Sequence, residues 1–241
     1  RGGDDSKYLN MYNAASMTTI PYKGEIITMV GSKSFYADSE GCDDKGENCK
    51  FNGEVNVLDT LQSPGSTNKP LGYYIAFKEG KLTPGSFLPD VPIQIGGYNP
   101  KDWDGQFLGT SGASAQNMLR QSRNIPAIIV AQMIGVSNYV ETAKTFGYTT
   151  YNTGDYGQSI ILGGADVYPA EHAQAFGVFA NGGDFVELNP ILKIVDKEGK
   201  TIYEASPVKK PVGDPQAIYL INQSLYRLDS LGATIYWDDR D

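Results

Sequence analysis

Three features of the sequence predict one mixed domain, α+β or α/β. Stretches rich in β-branched residues, such as residues 24–32 (GEIITMVGS), are interleaved with stretches of helical period, such as residues 71–80 (LGYYIAFKEG). No linker, internal repeat or low-complexity run divides the 241 residues, so a single domain over 1–241 is expected. Hydrophobic residues make up 40% and charged residues 20%, the balance of an ordinary globular domain with a full core.

The elements follow in order. Residues 1–19 read as polar and irregular, and GEIITMVGS as a strand ending in glycine. Residues 37–53 are a polar loop holding both cysteines, and VNVLDTLQ leads from it to SPGSTNKP. Residues 71–80 have helical spacing and stop at Gly80. Residues 82–110 are rich in Pro, Gly and Asp and read as a long ordered loop, a feature that usually carries function. Residues 111–135 predict two helices separated at Ser122-Arg123-Asn124 and Pro126; their apolar run IPAIIVAQMIGV is a core helix, too short and too interrupted to span a bilayer. NYVETAKTFGY predicts a helix ending at Gly147. In YPAEHAQAFGVFANGG a proline near the start and glycines at the end bound another. LNPILKIVDKEGKTIYEA is a hairpin turning at Lys197-Glu198-Gly199, DPQAIYLINQSLYRLDS a last helix, and ATIYW the start of a strand.

Composition removes several classes. A net charge of −8 and no basic run argue against a nucleic-acid partner, because phosphate contacts need clustered Lys and Arg. Two cysteines, Cys42 and Cys49, and a single histidine, His172, do not supply four metal ligands, so neither metal nor other cofactor is expected. A loop disulfide formed in an oxidising compartment and two unrelated free thiols both remain open for the cysteine pair.

The chemistry to be explained lies in Ser66-Thr67-Asn68-Lys69. A serine hydroxyl needs a base and a site that stabilises the oxyanion. His172 lies inside a helix with no GxSxG elbow to pair with it, which points to a structural histidine. Lysine serves as base once burial lowers its pKa. Ser66 and Lys69 share a face three residues apart, and Pro64-Gly65 turns the chain so that Ser66 meets the helix N-terminus, where free N–H groups favour developing negative charge. A second copy, Ser206-Pro207-Val208-Lys209, sits among prolines in an apparent loop and lacks that setting. Ser122 and Asn124 offer a hydroxyl and a carboxamide between two helices. Taken locally they read as caps of the helix that follows.

The order of segments resembles the transpeptidase domain of class A penicillin-binding proteins. GEIITMVGS is similar to that family's first core strand, FNGEVNV with SPGSTNKP to its approach to the nucleophile, and QSRNIPA to its second motif. SIILGGADVYPAEHAQAFGVFANGG resembles its downstream signature and LKIVDKEGKTIYE the hairpin after it. The resemblance implies a β-lactamase/transpeptidase-like fold with a mostly antiparallel central sheet flanked by helices. It implies a serine D,D-transpeptidase that cross-links peptidoglycan stem peptides ending in D-Ala-D-Ala and is acylated by β-lactams. Ser66 becomes the nucleophile, Lys69 its base, Ser122 the proton relay, and Asn124 the group that holds the substrate amide and positions Lys69. Ser122 and Asn124 thereby move from caps to site. Trp103 is expected on the cleft rim, in contact with substrate. The implied location is the extracytoplasmic face of a bacterial cell membrane, in a membrane-anchored parent that carries a glycosyltransferase domain.

One departure stands out. The family's third motif, Lys-Thr/Ser-Gly, is absent from these residues, so the domain is expected to be incomplete at its C-terminal end and completed by a C-terminal remainder or a second chain. Two other readings compete. One is a catalytically inactive module of the same fold that binds stem peptides or β-lactams as sensor or scaffold. The other is a serine β-lactamase, against which Glu141, Glu171 and Glu187 all sit in ordinary surface contexts rather than that of a deacylating base.

Overall fold

The computed structural model describes residues 12–36, 41–45, 49–95, 97–151 and 154–226. Strands β1 (Ser16–Ile20) and β2 (Glu25–Val30) form an antiparallel pair. The stretch read as irregular up to residue 19 therefore contains most of a strand, which its Thr-Thr-Ile run favours once β2 lies beside it. Cys42 and Cys49 are joined by a disulfide.

Helix α1 (Lys69–Lys78) is the centre of the molecule. Residues Lys69 to Phe77 are all buried. A helix apolar on every side has no solvent face to offer, and the rest of the fold surrounds it. Helices α2 (Ala115–Arg120), α3 (Asn124–Ile134), α4 (Val136–Thr145) and α6 (Pro215–Leu225) contact it, and α5 (Pro169–Ala180) packs on α6. Tyr74, Phe146 and Phe179 meet ring to ring between α1, α4 and α5. The apolar run after Asn124 is the core helix its composition predicts, with Ile125, Ala127, Ile128 and Val130 fully buried.

Residues 82–110 are not loop throughout. Strand β3 (Phe87–Asp90) pairs with β4 (Gly109–Ser114), so helix begins only at Ala115 and not at Ser111. Gly112 makes that pairing possible, since a Cβ there would run into the Leu88 carbonyl. β5 (Asp184–Val186) pairs with β8 (Lys209–Pro211), which lies in the stretch read as a proline-rich loop. β6 (Lys193–Val195) and β7 (Thr201–Glu204) form the predicted hairpin. All four strand pairs among the described residues are antiparallel. The strand expected at ATIYW lies outside the described residues. No helix among the described residues is long and apolar enough to cross a membrane.

The turn before α1 is held from downstream. Residues Gly65–Asn68 form a 3-10 turn that runs into α1. Gly163, at φ +86°, presses its Cα on Gly65, so that a Cβ at 163 would fall 2.2 Å from the Gly65 nitrogen. Ser63 Oγ donates to the Gly163 carbonyl at 2.9 Å, and Asn68 Nδ2 donates to Tyr151 Oη at 2.8 Å. Tyr139 Oη donates to the Asn68 carbonyl at 3.1 Å. Gly163→Ala adds both backbone strain and a backbone clash, and should destabilise the protein by at least about 2 kcal/mol. The denaturant midpoint checks this; an unchanged midpoint would show that the turn at Gly65 gives way freely.

Candidate active site

Lys69 is the first residue of α1, with Pro70 behind it where no N–H is required. Its side chain is only 1% exposed and runs to the corner between α2 and α3. There Nζ donates to the Ser122 carbonyl at 2.5 Å, to Ser122 Oγ at 3.1 Å and to Asn124 Oδ1 at 2.7 Å. Three acceptors match the three donors of an ammonium group. Burial nevertheless lowers the lysine to a pKa of about 7; Asp102 acts in the opposite sense and Arg123 in the same sense. The amine is therefore poised to gain or lose a proton near neutrality. Of its partners, only the Ser122 hydroxyl can reverse its role and donate to a neutral amine, because a carbonyl and an amide oxygen can only accept.

The Ser122 corner has a specific backbone cause. Ser122 is the only non-glycine among the described residues with positive φ, at 53°. Its N–H bonds the Leu119 carbonyl and that of Arg123 bonds the Met118 carbonyl, both at 3.0 Å. These two bonds are the Schellman termination of α2, with serine in the left-handed position that glycine usually takes. The capping reading thus needs correction. Ser122 ends the helix before it, the N-cap of α3 is Arg123 without a side-chain bond, and Asn124 is already inside the helix. The strain turns the Ser122 carbonyl and hydroxyl toward the same amine.

Ser66 lies in the 3-10 turn ahead of Lys69 and is exposed. Its carbonyl accepts from the Lys69 N–H, but no hydrogen bond links its hydroxyl to Lys69, Ser122 or Asn124. The structure thus gathers three of the four expected residues by direct contact and places the fourth one turn away. The other Ser-x-x-Lys is different in kind: Ser206 is exposed, and Lys209 is exposed on β8. Trp103 is about half exposed and donates Nε1 to the Gln121 carbonyl at 3.1 Å, which sets it against the Ser122 corner. His172 is packed between Tyr148 and Phe176, with Nδ1 and Tyr148 Oη 2.6 Å apart, and burial pushes it down to about 4, so it is neutral at physiological pH. Among the described residues no group of His, Cys, Asp and Glu is arranged to hold a metal ion.

Reading the sequence missed the acidic surroundings. Arg123, the middle residue of Ser-x-Asn, is 2% exposed and bonds Asp90 Oδ2 through Nε at 2.9 Å, Asp104 Oδ2 through Nη1 at 2.8 Å and the Gln106 carbonyl through Nη2. Asp102 lies 3.5 Å from the same guanidinium. The density of Asp in residues 90–104 was the available signal. Backbone strain at Ser122 yields a separate expectation. Ser122→Gly and Ser122→Ala lose the same hydroxyl, but only glycine relieves the positive φ. The glycine variant should be the more stable of the two by about 1 kcal/mol in denaturant unfolding; equal stabilities would mean the backbone stores no strain there.

Known proteins supply the frame for this geometry. The family model of the penicillin-binding protein transpeptidase domain matches residues 17–236. Penicillin-binding protein 1A of Rickettsia bellii is 30% identical over 197 residues, 79% of this chain and 22% of that protein. Penicillin-binding protein 1C of Escherichia coli is 34% identical over 145 residues, 59% of this chain and 18% of that protein. The chain thus spans about a fifth of the length of these relatives. Among solved structures, penicillin-binding protein 1A from Haemophilus influenzae superposes with a TM-score of 0.74 at 26% identity, covering 88% of this chain and 34% of that one. Penicillin-binding protein 3 from Mycobacterium tuberculosis reaches the same TM-score at 16% identity, covering 94% and 55%, a likeness of fold. With the family model spanning nearly the whole sequence, from β1 past α6, the chain belongs to the penicillin-binding protein transpeptidase domain family.

Proposed function

We propose that this chain carries the site of a serine D,D-transpeptidase, which joins peptidoglycan stem peptides through an acyl-enzyme on Ser66 and is acylated there by β-lactams. The observation that carries the reading is the burial of Lys69 against Ser122 and Asn124, which leaves its amine with a pKa of about 7. A neutral Lys69 takes the Ser66 proton as Oγ attacks the carbonyl carbon of the penultimate D-alanine. The tetrahedral oxyanion draws on the Ser66 N–H at the head of the helix, whose dipole favours negative charge. The proton then passes from Lys69 through the Ser122 hydroxyl to the departing D-alanine nitrogen, and the C–N bond breaks to leave the ester. A second stem peptide's amine attacks that ester, loses its proton by the reverse route, and frees Ser66. Asn124 orients both Lys69 and the substrate amide, and Trp103 offers a flat apolar face at the rim. A peptidoglycan substrate would be met on the extracytoplasmic face of a bacterial membrane, and the class A resemblance implies a larger anchored parent with a glycosyltransferase domain.

The β2 surface supports a further part of the reading. Ile27, Met29 and Val30 are each about half exposed, a surface that additional strands would cover. We infer that the third motif and its strands come from residues following Asp241 or from a second chain, and that they supply the second oxyanion donor. Losing one such donor costs about 10² to 10³ in rate. The chain joined to that segment should be acylated faster by this factor, and equal rates would place the missing role among the present residues.

A fluorescent penicillin tests the core of the proposal. The adduct should map to the peptide containing Ser66. A stable ester supports the transpeptidase, rapid turnover would indicate a β-lactamase, and no adduct in the completed protein would leave the inactive binding module. Acylation should rise about tenfold per pH unit below pH 7 and level off above it, because only the unprotonated Lys69 is a base and protonation grows as pH falls. Lys69→Arg stays protonated and should lose at least the ~10²-fold of a general base while remaining folded. Near-normal acylation by that variant would assign the proton to another group.

A further inference from the structure

We propose that Asp102 is a positioning residue for the Lys69–Asn124 pair, and that Arg123 is the anchor that keeps it in place. The proposal deepens the functional reading above, since it rests on Lys69 as the base. Its observation is the way the segment 101–106 is fastened to the corner at 121–124. The Lys101 carbonyl accepts from Asn124 Nδ2 at 2.8 Å, while Asp102 Oδ1 accepts from the Asn124 backbone N–H. The first of these bonds fixes the carboxamide so that Oδ1, not the amide NH2, faces Lys69. The second holds the first turn of α3. Trp103 Nε1 reaches the Gln121 carbonyl, and the Arg123 guanidinium spreads over Asp90, Asp104 and the Gln106 carbonyl. Every residue from Lys101 to Asp104 therefore touches the corner that presents Ser122 and Asn124, and the fastening reaches β3 through Asp90.

The charges in this clasp bear on Lys69. Asp90 and Asp102 side chains are fully buried, Arg123 is almost so, and Asp104 sits at the rim with 27% of its side chain exposed. Asp102 Oδ2 and Asp90 Oδ1 are both buried without a hydrogen-bond partner. Burial first and the neighbouring Asp90 second raise the Asp102 carboxyl to about 6, so it is neutral in mild acid and charged for the most part at pH 7. The titratable groups facing Asp102 are thus Asp90 from β3, Arg123 at the N-cap of α3, and Lys69 and the buried Tyr73 phenol from α1, the phenol pushed up by burial first and then by both carboxylates. At pH 7 the Asp102 carboxylate favours the ammonium form of Lys69 and Arg123 opposes it. Burial sets the protonation of the amine that Asn124 contacts, and Asp102 and Arg123 adjust it in opposite directions.

That opposition is the test, because damage to the fold cannot mimic it. The midpoint of Lys69 is read directly from the 13Cε resonance of the full chain labelled with [13C]lysine, assigned through Lys69→Arg. In Asp102→Asn, which keeps an oxygen for the Asn124 N–H but removes the charge, the midpoint should fall by on the order of one pH unit. In Arg123→Met it should rise, by a similar amount. The pH profile of acylation by fluorescent penicillin should shift with each midpoint. Asp102→Ala, which also abandons the Asn124 N–H, should lose at least about tenfold in acylation rate on the plateau above the midpoint. If Arg123→Met does not fold, wild type and Asp102→Asn still decide. A midpoint unmoved in Asp102→Asn, or moved upward, overturns the proposal. Midpoints that move as expected in a protein that no penicillin labels would keep this inference and remove the transpeptidase reading instead.

Discussion

The structure depends on a lysine held in the interior. A buried ammonium without partners is costly enough that the group would rather lose its proton. Lys69 stands at the N-terminal end of α1, where the helix dipole also disfavours positive charge, and it still finds an acceptor for each of its three N–H bonds. Burial outweighs these acceptors, and the outcome is an amine with its pKa lowered to about 7. One residue earlier, the side chain of Asn68 points instead to Tyr151 and the Ile160 carbonyl, so the location of the amine depends on its place in the helix.

The elements around it answer to that position. α2 must end where its last turn can expose a carbonyl and a hydroxyl together, and it does so through a serine in a conformation that suits glycine better. α3 must begin with a carboxamide in a known orientation, and the Lys101 carbonyl supplies the constraint. The turn bearing Ser66 must sit one step ahead, and Gly163, Tyr139 and Tyr151 hold it from segments about 70 to 100 residues downstream. Rigid elements thus carry a site whose parts come from distant stretches of chain.

Much of this was legible in the sequence, for identifiable reasons. Helices bounded by proline and glycine, such as Pro169–Ala180, and the hairpin at Lys197-Glu198-Gly199 carry their signals locally. Ser66 and Lys69 stand out locally, because Pro64-Gly65 sets them at a helix start that the second Ser-x-x-Lys lacks, whereas Ser122 and Asn124 stand out only through the ordered resemblance, their local reading being capping. The Schellman turn at Ser122 was hidden because its usual marker, glycine, is absent. The strands Phe87–Asp90 and Gly109–Ser114 were hidden because their partners lie some 20 residues apart in a stretch full of turn formers. Arg123 looked like a spacer between two functional residues. Its partners Asp90, Asp102 and Asp104 precede it by 33, 21 and 19 positions, and no periodicity links them.

The Arg123 cluster also constrains how such a domain can diverge. One guanidinium serves three carboxylates, two of them fully buried, and replacing Arg123 leaves those two without their cation, a loss of about 3 to 5 kcal/mol for a buried pair. That is a large share of the stability of an ordinary domain. A single substitution at 123 is therefore a barred route, whereas a concerted exchange of the cluster to a packed apolar set is open. These positions should be inherited as a block, and lineages that differ there should differ at several of them at once. Trp103, half in solvent and bonded to a backbone carbonyl, stands outside this charge balance, so the edge of the corner is open to substitutions that the ground beneath it forbids.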